Sequence, residues 1–379
     1  MCVDRILQAT DQQASIHLQQ KLKTSPPDQK LQIIDAILHS AYPLMSNRFG
    51  NFLIQRCFEF GSPQQIDALA QAMRGNILTL ACDPFGCHVV QKALDNVEED
   101  CKARIVTEMF RRIRETIVHR YACHVWQKVF EIRWTDAPPA VMTYVNNAVA
   151  GRWSGVAVDE TGSLVVQNIF ENCAEHDKRP VLNEILESVT TIAKGQWGNW
   201  VIQHILEHGS PADRATVTQK ILEDAVSLSL DQYASKVVEK TLQEVMAQYI
   251  HIVSTGVPDR PRIPLIDIAA DQYGNYIIQY ILTNAGQQHR EMCAVLIKRH
   301  MVSLRGSKYG QKVAFMVERW RGSPFGSGGN SNAGGALGQG NGGSGSGSGY
   351  GSKSGSGANG IEGNGGNGGG GGGGRRHRW

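Results

Sequence analysis

The chain has 379 residues, 41% of them hydrophobic, which is ample for a sizeable core. No apolar run approaches the roughly 18 residues of a membrane span and no signal-peptide pattern opens the sequence, so neither a membrane partner nor secretion is expected. The net charge is +3, and the segment after Arg321 carries all of it, because Lys353, Arg375, Arg376 and Arg378 there outnumber Glu362. The remaining body is neutral, so a nucleic-acid surface on it has to separate charge by face.

In chain order, Met1–Ala9 leaves little room for an N-terminal cap, and a truncated cap is expected there. A worn copy of a motif follows at Asp11–Gln19. Ser25-Pro26-Pro27-Asp28 signals a helix start, and Leu31–Leu38 continues with helical apolar spacing. The motif returns at Asn47–Gln55, Asp83–Gln91, Arg120–Gln127, Asp159–Gln167, Gln196–Gln203, Asp231–Glu239 and Asp271–Gln279. It reads as an acidic or polar residue, an aromatic, Gly or Ala, then Asn, Cys or Ser, with two aliphatics and a Gln or Glu to follow. A broken copy, Ser307–Phe315, puts Phe where the final amide belongs.

The last position falls at 19, 55, 91, 127, 167, 203, 239 and 279, giving steps of 36 with two of 40. A period of that length on helical sequence means a solenoid, whose units cannot bury their apolar faces alone. Each unit is expected to hold a long amphipathic helix (Pro63–Met73), a short apolar one (Asn76–Ala81) and the motif helix (Gly86–Asn96). The longer steps place insertions at Trp134–Pro139 and Gly256–Pro264, where prolines cannot continue a helix. None of the eight cysteines is in CxxC spacing, and Cys87 and Cys123 share one repeat position. Reduced thiols and a cytoplasmic location are expected. The body is assigned to residues 1–321, and the Gly/Ser/Asn-rich segment 322–379 is expected to be a disordered tail.

Within the motif, the Asn, Cys or Ser and the later Gln or Glu stand four apart, one turn away on the same helix face. The pairs are Ser15/Gln19, Asn51/Gln55, Cys87/Gln91, Cys123/Gln127, Ser163/Gln167, Asn199/Gln203, Ser235/Glu239 and Asn275/Gln279. The residue after each first member is Ile16, Phe52, His88, His124, Leu164, Trp200, Lys236 or Tyr276, mostly flat or broad apolar groups. Stacked units would line one surface with polar tips between flat groups, the combination that recognises unstacked bases. Polar pairs at this spacing also stabilise helices or cap them. Those roles would admit Lys, Asp or Thr, whereas this chain keeps Gln seven times and Glu once.

On these residues, from Asp11 to Glu318, the sequence resembles the PUF (Pumilio) family of single-stranded RNA-binding proteins. The resemblance implies an all-α fold, a right-handed crescent-shaped superhelix of eight three-helix repeats closed by the broken ninth as a C-terminal cap. It implies a concave face that binds mRNA 3′ untranslated regions, with RNA antiparallel to protein, to repress translation or promote decay. By the family's pairing rules Asn with Gln takes uracil, Ser with Glu takes guanine, and Cys or Ser with Gln takes adenine. Read backward from repeat 8, the site is 5′-UGUAAAUA-3′. Ile16 and Leu164 stand where the family commonly has flat or cationic groups, so their bases are expected to be held loosely. Arg56, Lys92, Lys128 and Lys240, each following a pair, are expected near phosphates. Protein effectors of repression or deadenylation are implied as partners, and the loop at Gly256–Pro264 as a protein-contact site. The chain is expected to act as a monomer without cofactor.

Enzyme readings fare poorly. His204-Ile-Leu-Glu-His208 has the HxxEH spelling of a zinc protease, yet His204 fills the slot of Arg56 and Lys92 in sister repeats. The glycine-rich run after Gly322 has no Gly-Lys-Ser/Thr and no strand context for a phosphate loop. Neither catalytic nor metal-binding residues are expected. The rival class is a peptide-binding scaffold of armadillo or HEAT type, which has no reason to keep an amide at one slot. A family member acting in ribosome biogenesis resembles this base-reading set poorly.

Overall fold

The computed structural model describes residues 2–135, 139–256 and 261–319. Contacts divide the chain into a unit Met1–Pro324 and a second, Phe325–Trp379. The tail expected at 322–379 lies outside the described residues, as do parts of both insertions. Among the described residues every regular element is a helix.

One repeat shows how sequence makes the unit. Ser62 starts the long helix Pro63–Met73 with a capping box, its Oγ accepting from Gln65 N while Gln65 Oε1 accepts from Ser62 N, and Pro63 follows where a missing N–H costs nothing. Gly75, at φ +79°, reverses the chain after this helix, and Gly151, at φ +74°, does so in a later unit. The short helix Ile77–Ala81 comes next, then the motif helix Gly86–Asn96. Asp83 caps the latter: its Oδ1 accepts from Phe85 N at 2.8 Å and Gly86 N at 2.7 Å. A Cβ on Gly86 would sit 2.7 Å from Leu80 O, so in this repeat glycine lets the helix approach the short one closely. Ala122 and Ala234 fill the same place in repeats 4 and 7, fully buried.

Successive motif helices lie side by side. Gln12–Thr24 packs on Gly50–Phe60, which packs on Gly86–Asn96, and the row continues through Ala122–Glu131, Glu160–Asn172, Gly198–His208, the helix from Ala234, Gly274–Asn284 and Gly310–Arg319. Long helices form a second row, with Gln65 of one reaching Leu31 O and Asp35 Oδ1 of the one before. Between the rows lie the two residues preceding each reading position, Leu53 and Ile54, Val89 and Val90, Val237 and Val238, Ile277 and Ile278, all at most 1% exposed. Burying each such side chain stabilises the fold by about 1.5–3 kcal/mol. Repeat 4 departs from the aliphatic pattern. Trp126 fills its second slot, fully buried, and its Nε1 donates to Thr116 Oγ1 at 2.9 Å.

The ends and the kink are local events. The helix Cys2–Ala9 packs on the first motif helix and buries Ile6 completely. In repeat 7 the motif helix and the following long helix run together as Ala234–Ser254, bent at Val245 (φ −129°, ψ 31°).

Candidate nucleic-acid interface

Most reading helices begin with the same device. Asn47, Asp159, Asp231 and Asp271 cap their helices as Asp83 does, through one Oδ1 accepting two backbone N–H groups at 2.7–2.9 Å. In repeat 4 the cap is His119, whose Nδ1 accepts from Tyr121 and Ala122 at 3.3 and 3.4 Å. The motif there starts one residue before Arg120, because an imidazole nitrogen replaces the carboxylate. Repeat 6 has Gly195 at this place and no side chain to cap with.

The reading pairs prove unequal. All first members are buried, from Asn275 at 0% to Ser235 at 8%, whereas each Gln or Glu is half-buried at the surface. Asn51 donates both Nδ2 hydrogens, to Asn47 O and Arg48 O at 2.9 Å each, and its Oδ1 accepts from Gln55 Nε2 at 3.1 Å. Asn199 with Gln203 and Asn275 with Gln279 repeat the arrangement, the amide bonds measuring 3.0 and 2.7 Å. The expectation of two polar tips per repeat is thus corrected. The asparagine lies beneath and holds its glutamine; the glutamine alone keeps Oε1 and one N–H for the surface.

Repeats with a smaller first member seat the glutamine lower. Gln91 and Gln167 donate to the main-chain carbonyls of Cys87 and Ser163 at 3.1 and 3.0 Å. Gln19 donates to Ser15 Oγ at 3.0 Å, and that hydroxyl crosses to Phe49 O in the next repeat at 2.7 Å. Cys123 is buried beneath Gln127, which instead meets His124. Glu239 makes no hydrogen bond or ion pair among the described residues, and burial raises its carboxyl pKa above the ordinary value.

Between the reading residues stand the flat groups. Phe52 is 52% exposed, Trp200 51% and Tyr276 55%, unusual for large apolar side chains, and Leu164 is similarly open. His88, His124 and Lys236 are exposed, and Ile16 is half-buried. Lys312 of the ninth unit holds its Nζ 5.4 Å from the Tyr276 ring centre, so equivalent positions of neighbouring helices do face one another. Phe315, at the broken reading position, is exposed.

A ladder of contacts that the sequence reading missed links successive reading helices. Lys92 Nζ meets Glu59 of the preceding repeat at 2.6 Å, Lys128 meets Asp95 at 2.6 Å, His204 meets Glu171 at 3.1 Å and Lys240 meets Glu207 at 2.5 Å. Asn168 Nδ2 donates to Glu131 in the same way at 3.3 Å. Arg56 turns to its own Glu59 at 2.5 Å. Lys92, Lys128 and Lys240 thus pair with acids four residues past the preceding reading position, and Arg56 with the acid of its own repeat. The signal was in the sequence, since Glu59, Asp95, Glu131, Glu171 and Glu207 recur at one slot. His204 pairs with Glu171 rather than Glu207, its pKa pulled below the usual histidine value by desolvation that Glu171 only partly offsets. No group of three or more His, Cys, Asp or Glu among the described residues is placed to hold a metal.

Comparison with known proteins agrees with this geometry. The profile of the Pumilio-family RNA binding repeat matches eight times, at residues 8–38, 40–73, 76–110, 113–132, 152–186, 188–222, 224–253 and 265–297. The chain is similar to Meiotic coiled-coil protein 2 of Schizosaccharomyces pombe, 59% identical over 84% of this chain and 46% of the relative. It is also similar to Meiotic PUF family protein 1 of that organism, 44% identical over 84% of this chain and 55% of the relative. The chain thus spans about half the length of these curated relatives. Among solved structures, PUF-8 in complex with PBE-RNA superposes with a TM-score of 0.72 at 25% identity, covering 83% of this chain and 92% of that one. The Puf3 RNA binding domain bound to a Cox17 RNA 3′ UTR recognition sequence gives 0.66 at 26%, covering 81% and 92%. With eight matching repeats and close relatives across most of its length, the chain belongs to the Pumilio family of RNA-binding repeat proteins, which are not enzymes.

Proposed function

We propose that the chain binds single-stranded RNA sequence-specifically, one base per repeat, and that its preferred site is 5′-UGUAAAUA-3′. The observation that carries this reading is the alternation, over eight successive helices, of one half-buried Gln or Glu with one outward-facing side chain, flat in most repeats. Base edges meet the former and base faces the latter. A glutamine with Oε1 and one N–H free matches uracil, through N3–H and a carbonyl, and equally adenine, through N6–H and N1. Size separates the two. Asn51, Asn199 and Asn275 prop their glutamines outward to reach a pyrimidine, whereas Gln91 and Gln167, settled on the main chain, leave room for a purine. Glu239, with an empty acceptor and no donor, suits the adjacent N1–H and N2–H of guanine.

The RNA elements named for PUF-8 and Puf3 support the same class of ligand here. We extend the reading to mRNA 3′ untranslated regions, with translational repression or mRNA decay as the outcome and deadenylation or repression proteins as partners. The chain acts as a monomer in the cytoplasm. Titrating it against UGUAAAUA, a scrambled octamer and the octamer in duplex tests the core of the proposal. Tight one-to-one binding of the first alone is expected; equal binding of all three would refute base reading.

A further inference from the structure

In repeats 2 to 8 the turn before the reading helix is tied to the first member of the reading pair. The carbonyl three residues earlier accepts from its side chain: Asn51 donates to Arg48 O at 2.9 Å, Cys123 to Arg120 O at 3.5 Å and Ser163 to Glu160 O at 3.1 Å. Pro84, Gln196, Gln232 and Gln272 accept in the same way in repeats 3, 6, 7 and 8. This turn residue thus marks the N-terminal edge of the reading row. The ladder of lysines and acids runs past the reading positions, along the other edge.

The two edges differ in charge. On the ladder edge Lys92, Lys128 and Lys240 each meet a carboxylate. At the turn, Arg48 and Arg120 are exposed and meet no carboxylate among the described residues. Each lies over the ring that follows it, Arg48 Cζ 5.3 Å from the centre of Phe49 and Arg120 Cζ 4.8 Å from that of Tyr121. A ring face restrains a guanidinium without using up its N–H donors, which remain set for bidentate contact with phosphate oxygens. In repeat 5 the same place holds an exposed carboxylate, Glu160, and in repeats 3, 6, 7 and 8 a neutral residue.

We infer that Arg48 and Arg120 clamp the RNA backbone, holding the phosphates beside the seventh and fifth bases, while Glu160 leaves the backbone beside the fourth base unheld. The inference rests on the RNA reading proposed above, in which repeats 2, 4 and 5 face bases 7, 5 and 4. Phosphate contacts carry no sequence information, so the two arginines strengthen binding to every octamer alike.

The test uses the full chain with Arg48→Gln, Arg120→Gln, Arg120→Lys and Glu160→Arg, each titrated with UGUAAAUA and UCUAAAUA at several salt concentrations. Each Gln variant should flatten the slope of log affinity against log salt by about 0.7, the value for one phosphate contact on a single strand. It should weaken both octamers by the same factor. Arg120→Lys keeps the charge and should keep the slope, and Glu160→Arg should steepen it by about 0.7. UGUAAAUA with uncharged methylphosphonate linkages beside base 5 should bind wild type and Arg48→Gln about threefold or more weakly, the scale of an exposed ion pair. Arg120→Gln should lose almost nothing on that RNA; with the uncharged linkages beside base 7 the two variants exchange behaviour. Unchanged slopes in both Gln variants would overturn the inference. So would losses that ignore which linkage is uncharged, or a loss confined to one octamer, which would assign the arginine to base reading. A wild type that binds UGUAAAUA and UCUAAAUA equally would overturn the base reading instead, a distinct outcome on which the slopes do not depend.

Discussion

Gln279 Nε2 donates to Asn275 Oδ1 at 2.7 Å, while the corresponding residue one repeat earlier, Glu239, faces Ser235 without any bond between them. The contrast isolates repeat 7 as the place where one repeat can be made into another. Ser235→Asn with Glu239→Gln should rebuild the propped amide of repeats 2, 6 and 8. The preference then moves from UGUAAAUA to UUUAAAUA, with the other seven bases unaffected. A carboxylate opposite uracil leaves an acceptor unpaired, at about 1–3 kcal/mol, so the two proteins should differ about tenfold to a hundredfold on each octamer. Side-by-side titration decides it; persistent preference for guanine would mean the register is misdrawn.

Glu239 also makes the free protein pH-dependent. Burial raises its carboxyl pKa above the ordinary glutamate value of 4.5, so the folded state holds the proton more tightly than the unfolded chain. The stability from this group is fully present below the unfolded value and is lost as pH rises through the raised one. Glu239→Gln should therefore melt higher than wild type at pH 7, and the gap should shrink as pH falls towards 4.5. Thermal melts of both proteins at several pH values measure it. RNA moves the other way: acid protonates Glu239, so wild-type affinity for UGUAAAUA should fall in the same window while that of the Gln variant stays flat.

The inter-repeat ladder predicts a gain from breaking it. Glu207 holds Lys240 Nζ at 2.5 Å, beside the reading position of repeat 7. Glu207→Gln releases that cation towards the RNA. Affinity should rise, and the slope of log affinity against log salt should steepen by up to about 0.7, the value for one added phosphate contact on a single strand. Stability should fall by no more than about 1 kcal/mol, as for other exposed ion pairs. Binding isotherms at several salt concentrations give the slope.

The buried tryptophan supplies a stability prediction independent of RNA. Trp126 Nε1 has Thr116 Oγ1 as its partner at 2.9 Å, in a site closed to water. Thr116→Val keeps the shape and strands the indole N–H, at about 1–3 kcal/mol. Urea denaturation should show this loss, whereas Trp126→Phe in the Thr116→Val background should recover part of it, because no donor remains unpaired.

The sequence by itself determined the repeat and its period. A Gln or Glu recurring every 36 or 40 residues, with Ser-Pro starts and two apolar residues before it, dictates helices whose apolar sides must stack on one another. The flat residues were legible too, since Phe52, Trp200 and Tyr276 at a fixed slot have no reason to lie in a core. What the sequence left undecided was which way each polar group points. Asn51 and Gln55 are equally polar on paper, but Asn51 faces inward at the start of its helix, and there the backbone carbonyls take both its amide hydrogens. Lys92 and Lys128 looked available for phosphates because their acidic partners lie 33 residues earlier, a distance that only stacking of one helix on the next removes. The same spelling in repeats 3 and 4 ended in different partners for the glutamine, Cys87 O for Gln91 and His124 for Gln127. A rotamer is chosen among hydrogen-bond partners of similar strength, and which of them lie within reach is a property of the packed structure.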